Sequence, residues 1–239
     1  MGMPISVEIV GTESQEPFGL VYQYFEYVDK TFSTYKTDSE ISRINQGLPR
    51  EQWTDDVVSV LDLCEQTKQQ TNGFFDVYHN GVLDPSGLVK GWAINNASQL
   101  LRNHGIDNFC VDAGGDMQMS GNNEEGKPWQ IGIRNPFNRD ENIKVLALTN
   151  KGIATSGTAI RGQHIYNPYT PDQELTEVAS ITVIGPNVFE ADRFATAAFA
   201  MGKQGVTFIA SMKGFEAYMV MSNQMATMSH GFERYVANA

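Results

Sequence analysis

The sequence predicts an α+β fold, with a mixed and largely antiparallel sheet and helices packed against it. Three observations carry that expectation. Strand-like and helix-like segments follow one another in irregular order, without the strict alternation of a doubly wound parallel sheet. From Phe109 onward the pattern turns mostly to strands, with polar turns such as 121–128 between them. No low-complexity linker or internal repeat interrupts the 239 residues, so one domain spanning 1–239 is expected.

Taken in order, residues 3–10 alternate as a first strand, and apolar positions at Phe18, Tyr22, Phe25, Val28 and Phe32 follow at helical spacing. The polar segment 33–38 breaks that helix, and Asp38 or Ser39 can cap a short second one through Ile44. Thr54 can cap a third helix with apolar positions Val57, Leu61 and Cys64, ending at Asn72-Gly73, a good left-handed terminus. Residues 74–78 look like a strand, and residues 89–104 like a helix stopped by Gly105. Strands are then expected at 110–120, interrupted by the glycines before Asp116, and at 129–134, 144–148 and 180–184. An alanine-rich helix spans about 188–201, and a last helix precedes strands near 216–221 and 225–235.

Composition narrows the function. Hydrophobic residues make up 41% and charged residues 19%, ordinary values for a folded soluble protein. A net charge of −11 argues against a surface that holds nucleic acid or anionic membrane. An anionic ligand would have to be bound locally, by a metal ion, a few basic groups or backbone amides. No apolar run reaches membrane-spanning length, so no membrane span is expected. The start of the chain carries no leader, which gives a cytoplasmic expectation, or a periplasmic or membrane-anchored one if a leader has been trimmed. Cys64 and Cys110 have no metal-binding or disulfide spacing, and His79, His104, His164 and His230 are scattered, so zinc is not expected.

Five segments can carry chemistry. In Glu190-Ala-Asp-Arg-Phe-Ala-Thr196, Asp192 and Thr196 lie four apart on one helix face, and can offer hard oxygens to one small cation. Small neighbours there (Ala191, Ala195, Ala197, Ala198) let a ligand or second backbone approach; an exposed acid and a threonine bonded to its own helix are the plain alternative. Asp84-Pro-Ser-Gly-Leu-Val-Lys-Gly91 sets an acid, a helix start and Lys90 near one point, which suits phosphate, or simply begins a helix beside a solvated lysine. The paired glycines of Val111-Asp-Ala-Gly-Gly-Asp116 allow close backbone approach to a ligand, or make an ordinary turn. Gly152-Ile-Ala-Thr-Ser-Gly157 offers hydroxyls to phosphate oxygens, and His164 downstream is a candidate for proton transfer or for a structural role. In the segment 32–45, Tyr35 can stack on a planar ring, with Lys36 and Arg43 supplying positive charge, or can be a surface tyrosine beside a capped helix.

The order and wording of these segments resemble the ApbE family of FAD:protein FMN transferases. The matching stretches are Met1-Gly-Met-Pro-Ile-Ser-Val, residues 32–45, Gly73-Phe-Phe-Asp76, 84–93, Ala113-Gly-Gly-Asp116, 153–157, 164–168 and 190–196, in family order along nearly the whole chain. The resemblance implies an ApbE-like fold with a cleft for a flavin nucleotide. It implies that Asp192, Thr196 and the Gly87 carbonyl hold magnesium, or manganese, and that FAD is the substrate. It further implies that Met1, Tyr35, Phe75, Asp76, Asp84, Lys90 and Tyr166 contact FAD, with Tyr35 near the isoalloxazine and Lys90 near the phosphates. His164 matches a histidine proposed to assist deprotonation of the acceptor hydroxyl.

The implied reaction moves FMN from FAD onto a Thr or Ser hydroxyl of an acceptor flavoprotein subunit, releasing AMP. An FAD pyrophosphatase using the same site with water, or a flavin-binding protein without turnover, are the alternatives. Three departures from the family pattern stand out. The segments between Asp76 and Asp84 and between Gly157 and His164 are short, and Asn167 stands where aspartate is frequent.

Overall fold

The computed structural model describes residues 2–138, 140–158 and 165–237. The chain begins β1 (Ile5–Ile9), α1 (Glu16–Phe32), α2 (Glu40–Asn45) and α3 (Asp55–Gln70). The two-residue strands β2 (Tyr78–His79) and β3 (Val82–Leu83) form a small hairpin before α4 (Ser86–Asn103). Then come β4 (Phe109–Ala113), β5 (Asp116–Ser120), β6 (Trp129–Arg134), β7 (Asn142–Leu148), β8 (Gly152–Gly157) and β9 (Val178–Gly185). The chain closes with α5 (Val188–Ala200), α6 (Gly205–Ala210), β10 (Glu216–Met221) and β11 (Ala226–Met228).

Seven strands make one sheet in the order β1-β4-β5-β8-β9-β10-β11, with every neighbouring pair antiparallel. The predicted α+β class is therefore the observed one, with the main sheet wholly antiparallel. Its middle strands are buried on both sides, and the alternation of a strand sends their residues into two different cores. Ala154, Ile181, Val183, Ala217 and Met219 face α5 and α6. Their neighbours Ile153, Ile184, Tyr218 and Val220 pack instead against the β6–β7 ribbon through Trp129, Ile131, Leu146 and Leu148. Helices α1 to α4 build a third core over β4. No helix among the described residues is long and apolar enough to cross a membrane.

Local capping follows the sequence with one change of partner. Ser39 caps α2, accepting from the Ser42 amide at 3.1 Å, and Asn187 caps α5 through the Glu190 amide at 2.9 Å. Thr54 precedes α3 but does not cap it with its side chain. Its amide and hydroxyl both donate to the Glu40 carboxylate, tying α2 to α3.

Three sequence expectations are corrected. Residues 74–77 form no strand: Phe75 plugs the helical core from a turn, with its amide donating to Thr71 Oγ1 at 3.1 Å. An apolar run that fills a core from a bend has the same composition as a strand. Residues 152–157, to which the sequence assigned no strand, are β8, pinned in the middle of the sheet, with Thr155, Ser156 and Gly157 lining the cavity described below. The last stretch is a strand only at β11, and Phe232–Tyr235 is a 3-10 turn that packs Phe232 into the ribbon core.

Helices α4 and α5 cross closely because their contact surface has almost no side chains. A Cβ at Gly91 would lie 2.6 Å from the Asp192 Cβ and 2.9 Å from the Val188 carbonyl oxygen. Ala191, Ala195 and Ala198 of α5 are fully buried. These alanines pack with Ala154, Ile181 and Val183 of the sheet, while Gly91 and Gly87 let α4 approach α5, and the crossing brings Asp192 and Thr196 against the first turns of α4.

Candidate active site

A cavity of about 220 Å3 opens where the start of α4, the middle of α5, the β4–β5 turn, β6 and the end of β8 meet. It collects eight of the eleven residues singled out in the sequence: Phe75, Asp76, Asp84, Gly87, Lys90, Tyr166, Asp192 and Thr196. Tyr35 is not among its lining residues and stands 92% exposed. Met1 and His164 lie outside the described residues.

The polar floor is built from α4 and α5 together. Thr196 Oγ1 lies 3.3 Å from the Gly87 carbonyl oxygen, to which its hydroxyl donates. Two ligands at right angles on an ion with bonds of about 2.1 Å sit roughly 3 Å apart, so this pair has the spacing for one small hard cation. Asp192 is 2% exposed and accepts from the Gly91 amide at 2.8 Å through Oδ2. Its Oδ1 lies 3.5 Å from Lys90 Nζ. Carboxylate, hydroxyl and carbonyl are the oxygen donors magnesium prefers, and they fit it on chemistry. Among the described residues no three His, Cys, Asp or Glu side chains cluster, so the ligand's own oxygens would have to complete the shell.

Asp116 is the residue the sequence reading did not assign. It is 1% exposed, its Oδ1 accepts from the Thr155 amide at 2.9 Å, and its Oδ2 pairs with Lys90. Lys90 thus stands between two buried carboxylates, one on β5 and one on α5. Burial pushes the Asp192 carboxyl above the ordinary carboxylate range, Lys90 pulls it back, and Asp116 adds to the rise. The signal for Asp116 was present in the double glycine before it: Gly114 and Gly115 have φ of 66° and 97°, a turn that an L side chain would strain.

The wall is aromatic. Tyr166 lies against His79, ring centroids 4.1 Å apart. The Tyr166 hydroxyl is 2.8 Å from the Tyr78 carbonyl oxygen and 3.2 Å from that of Asp76, one donor shared by two acceptors. This staples the β2–β3 hairpin to the segment after β8. Asp76 is held in turn by Lys68 at 2.8 Å, and Asp84 accepts from the Ser86 amide at 2.9 Å at the mouth of α4. Tyr166→Phe keeps the ring and removes the staple. It should cost about 1 kcal/mol, a fall of about 2–4 °C in Tm, read by thermal melting. An unchanged Tm would mean that the hairpin is held by packing alone.

Comparison with known proteins agrees with this architecture. The FAD:protein FMN transferase of Klebsiella pneumoniae (strain 342) is 22% identical over 92% of this chain and 82% of its own length. The Haemophilus influenzae protein of the same name is 28% identical over 72% of this chain. The chain spans about half the length of that protein (51%) and of its Vibrio cholerae counterpart (48%). Among solved structures, the flavin transferase ApbE of Vibrio cholerae superposes with a TM-score of 0.85 at 22% identity, covering 98% of this chain and 96% of its own. The apo flavinyl transferase ApbE of Pseudomonas stutzeri gives 0.83 at 22% identity, covering 99% and 95%. These likenesses establish the fold. The ApbE family model matches residues 1–83 and 78–219, most of the chain, and the chain belongs to the ApbE family.

Proposed function

We propose that residues 1–239 act as one FAD:protein FMN transferase domain, moving the FMN moiety of FAD onto a Thr or Ser hydroxyl of a target flavoprotein and releasing AMP. The observation that carries this reading is the convergence of Gly87, Lys90, Asp192 and Thr196 on one cavity in a chain of this family. Magnesium, or manganese in its place, held by Asp192, Thr196 and the Gly87 carbonyl would neutralise the pyrophosphate and help AMP depart.

The protein's own part is binding and alignment. The amides at the start of α4 and the Lys90 ammonium attract the pyrophosphate. Phe75 gives an apolar surface, and the ring of Tyr166 a flat one, on the flavin side. The acceptor oxygen attacks the FMN phosphorus, the bond to the AMP oxygen breaks, and the hydroxyl proton passes to a base, the role we assign to His164. At about 220 Å3 the cavity is smaller than the roughly 300 Å3 usual for a ligand pocket, so FAD would extend past it.

The test is incubation with FAD and magnesium, with and without an acceptor domain, followed by nucleotide analysis and acceptor mass. Acceptor mass raised by FMN, with AMP in equal amount, is the expected result. FMN and AMP without labelled acceptor would make the protein an FAD pyrophosphatase, and unchanged FAD would make it a binding protein. His164→Ala should slow transfer about a hundredfold while leaving FAD affinity near its original value. Equal losses in rate and affinity would remove His164 from proton transfer.

A further inference from the structure

We infer that Arg134, at the end of β6, is the second anion-binding group of this cavity and holds a phosphate of the bound nucleotide; the inference rests on the FAD reading above. The charge inventory of the cavity motivates it. Four acids line it, Asp76, Asp84, Asp116 and Asp192, against two permanent cations, Lys90 and Arg134. Lys90 is already shared by Asp116 and Asp192, so its charge is largely spent on neighbours before any ligand arrives. A pyrophosphate entering a chain of net charge −11 needs a cation with charge to spare.

Arg134 meets that need. Its side chain is exposed at the cavity, and among the described residues its guanidinium has no hydrogen-bond or ion-pair partner. A planar guanidinium presents paired N–H groups that match two phosphate oxygens at once. Its position is also specified by the backbone. The register of the β6–β7 ribbon shifts between Ile133 and Arg134, so that Arg134 faces Asn142 and Ile143 is left over. Such a bulge bends a ribbon locally and re-aims the side chain beside it.

A neighbouring carboxyl ties the two cations to one place. Asp112 accepts from the Gly115 amide at 2.8 Å within the double-glycine turn that lines the cavity. Burial raises its carboxyl above the ordinary range, and both Arg134 and Lys90 draw it back down. Both cations therefore lie within electrostatic reach of the same turn, with Lys90 committed to carboxylates and Arg134 open to a ligand.

The test measures FAD, FMN and riboflavin binding to the full chain by flavin fluorescence in the presence of magnesium, for wild type, R134A and R134K. R134A should weaken FAD and FMN about tenfold or more, the loss of a charged hydrogen bond, and leave riboflavin within about twofold. R134K should fall between, and FAD binding by R134A should depend less steeply on salt. Wild-type affinity of R134A for all three flavins overturns the inference. An equal loss for riboflavin also overturns it, since a phosphate contact cannot act on a ligand without phosphate. Unchanged FAD affinity with a raised KM for the acceptor would move Arg134 to acceptor recognition and overturn the assignment. Failure of the functional reading looks different, because the wild-type chain itself would then bind no flavin nucleotide.

Discussion

Asp192→Ala should lower metal-dependent FMN transfer on the order of a thousandfold while the protein stays folded. The carboxylate is the sole anionic side chain we assign to the cation, and Lewis-acid stabilisation of a phosphoryl transition state is worth several kcal/mol, with each 1.4 kcal/mol a factor of about ten. Excess magnesium should recover part of the activity, because Thr196 Oγ1 and the Gly87 carbonyl oxygen remain 3.3 Å apart. The measurement is transfer rate against magnesium concentration at saturating FAD. A rate unchanged at limiting magnesium would remove Asp192 from the metal site.

The isosteric change Asp192→Asn separates chemistry from folding. Asparagine keeps an oxygen for the Gly91 amide, which Asp192 now meets at 2.8 Å, and Lys90 keeps Asp116. Burial makes the folded carboxyl a weaker acid than an ordinary aspartate. Between the unfolded and the folded pKa the native state then holds more protons than the unfolded chain. Stability contributed at this position therefore falls as pH rises through that window. Asp192→Asn removes that loss, so its stability near neutral pH should match or exceed wild type while its activity stays low.

How much of this was readable beforehand depended on whether a function sat within one element. Asp192 and Thr196 are one helical turn apart, and Gly87 and Lys90 are three apart at the start of another helix, so each pair was visible as a spacing. Asp116 and Arg134 come from strands, where period-two burial says which face a residue takes but not which helix meets it. Lys90 and Asp116 find each other only through the crossing of α4 over the sheet. His79 was set aside as one of four scattered histidines, and only the Tyr166 staple puts it at the cavity. Tyr35 shows the opposite case: its neighbours in sequence suggested a ring-stacking role, yet the loop leaves it exposed and outside the cavity lining. Strand β8 was missed because Gly152, Ala154 and Gly157 have low strand preference, and the sheet around them overrides it.

That same misreading conceals the position most sensitive to a single methyl group. Gly152 begins the stretch whose hydroxyls suggested phosphate contact, but it is itself absent from the cavity lining and packs against the start of α5. A Cβ there would overlap the backbone of Asn187 and Val188, the cap and first residue of the helix that carries Asp192 and Thr196. Backbone cannot rotate away as a side chain can, so either β8 leaves its register or α5 moves. Gly152→Ala should therefore cost about 3 kcal/mol or more, the upper end for overpacking. Gly91→Ala should cost less, because its closest contacts, the Asp192 Cβ at 2.6 Å and the Val188 carbonyl oxygen at 2.9 Å, are milder overlaps than the backbone ones at Gly152. Gly87→Ala should be mildest, since its Cβ would meet Thr196 Cγ2 at 3.3 Å and Phe75 Cε2 at 3.4 Å. Urea titration of the three variants reads the order directly. If Gly152→Ala were as stable as wild type, α5 would not be braced by β8. The position of Asp192 and Thr196 would then rest on the α4 crossing alone.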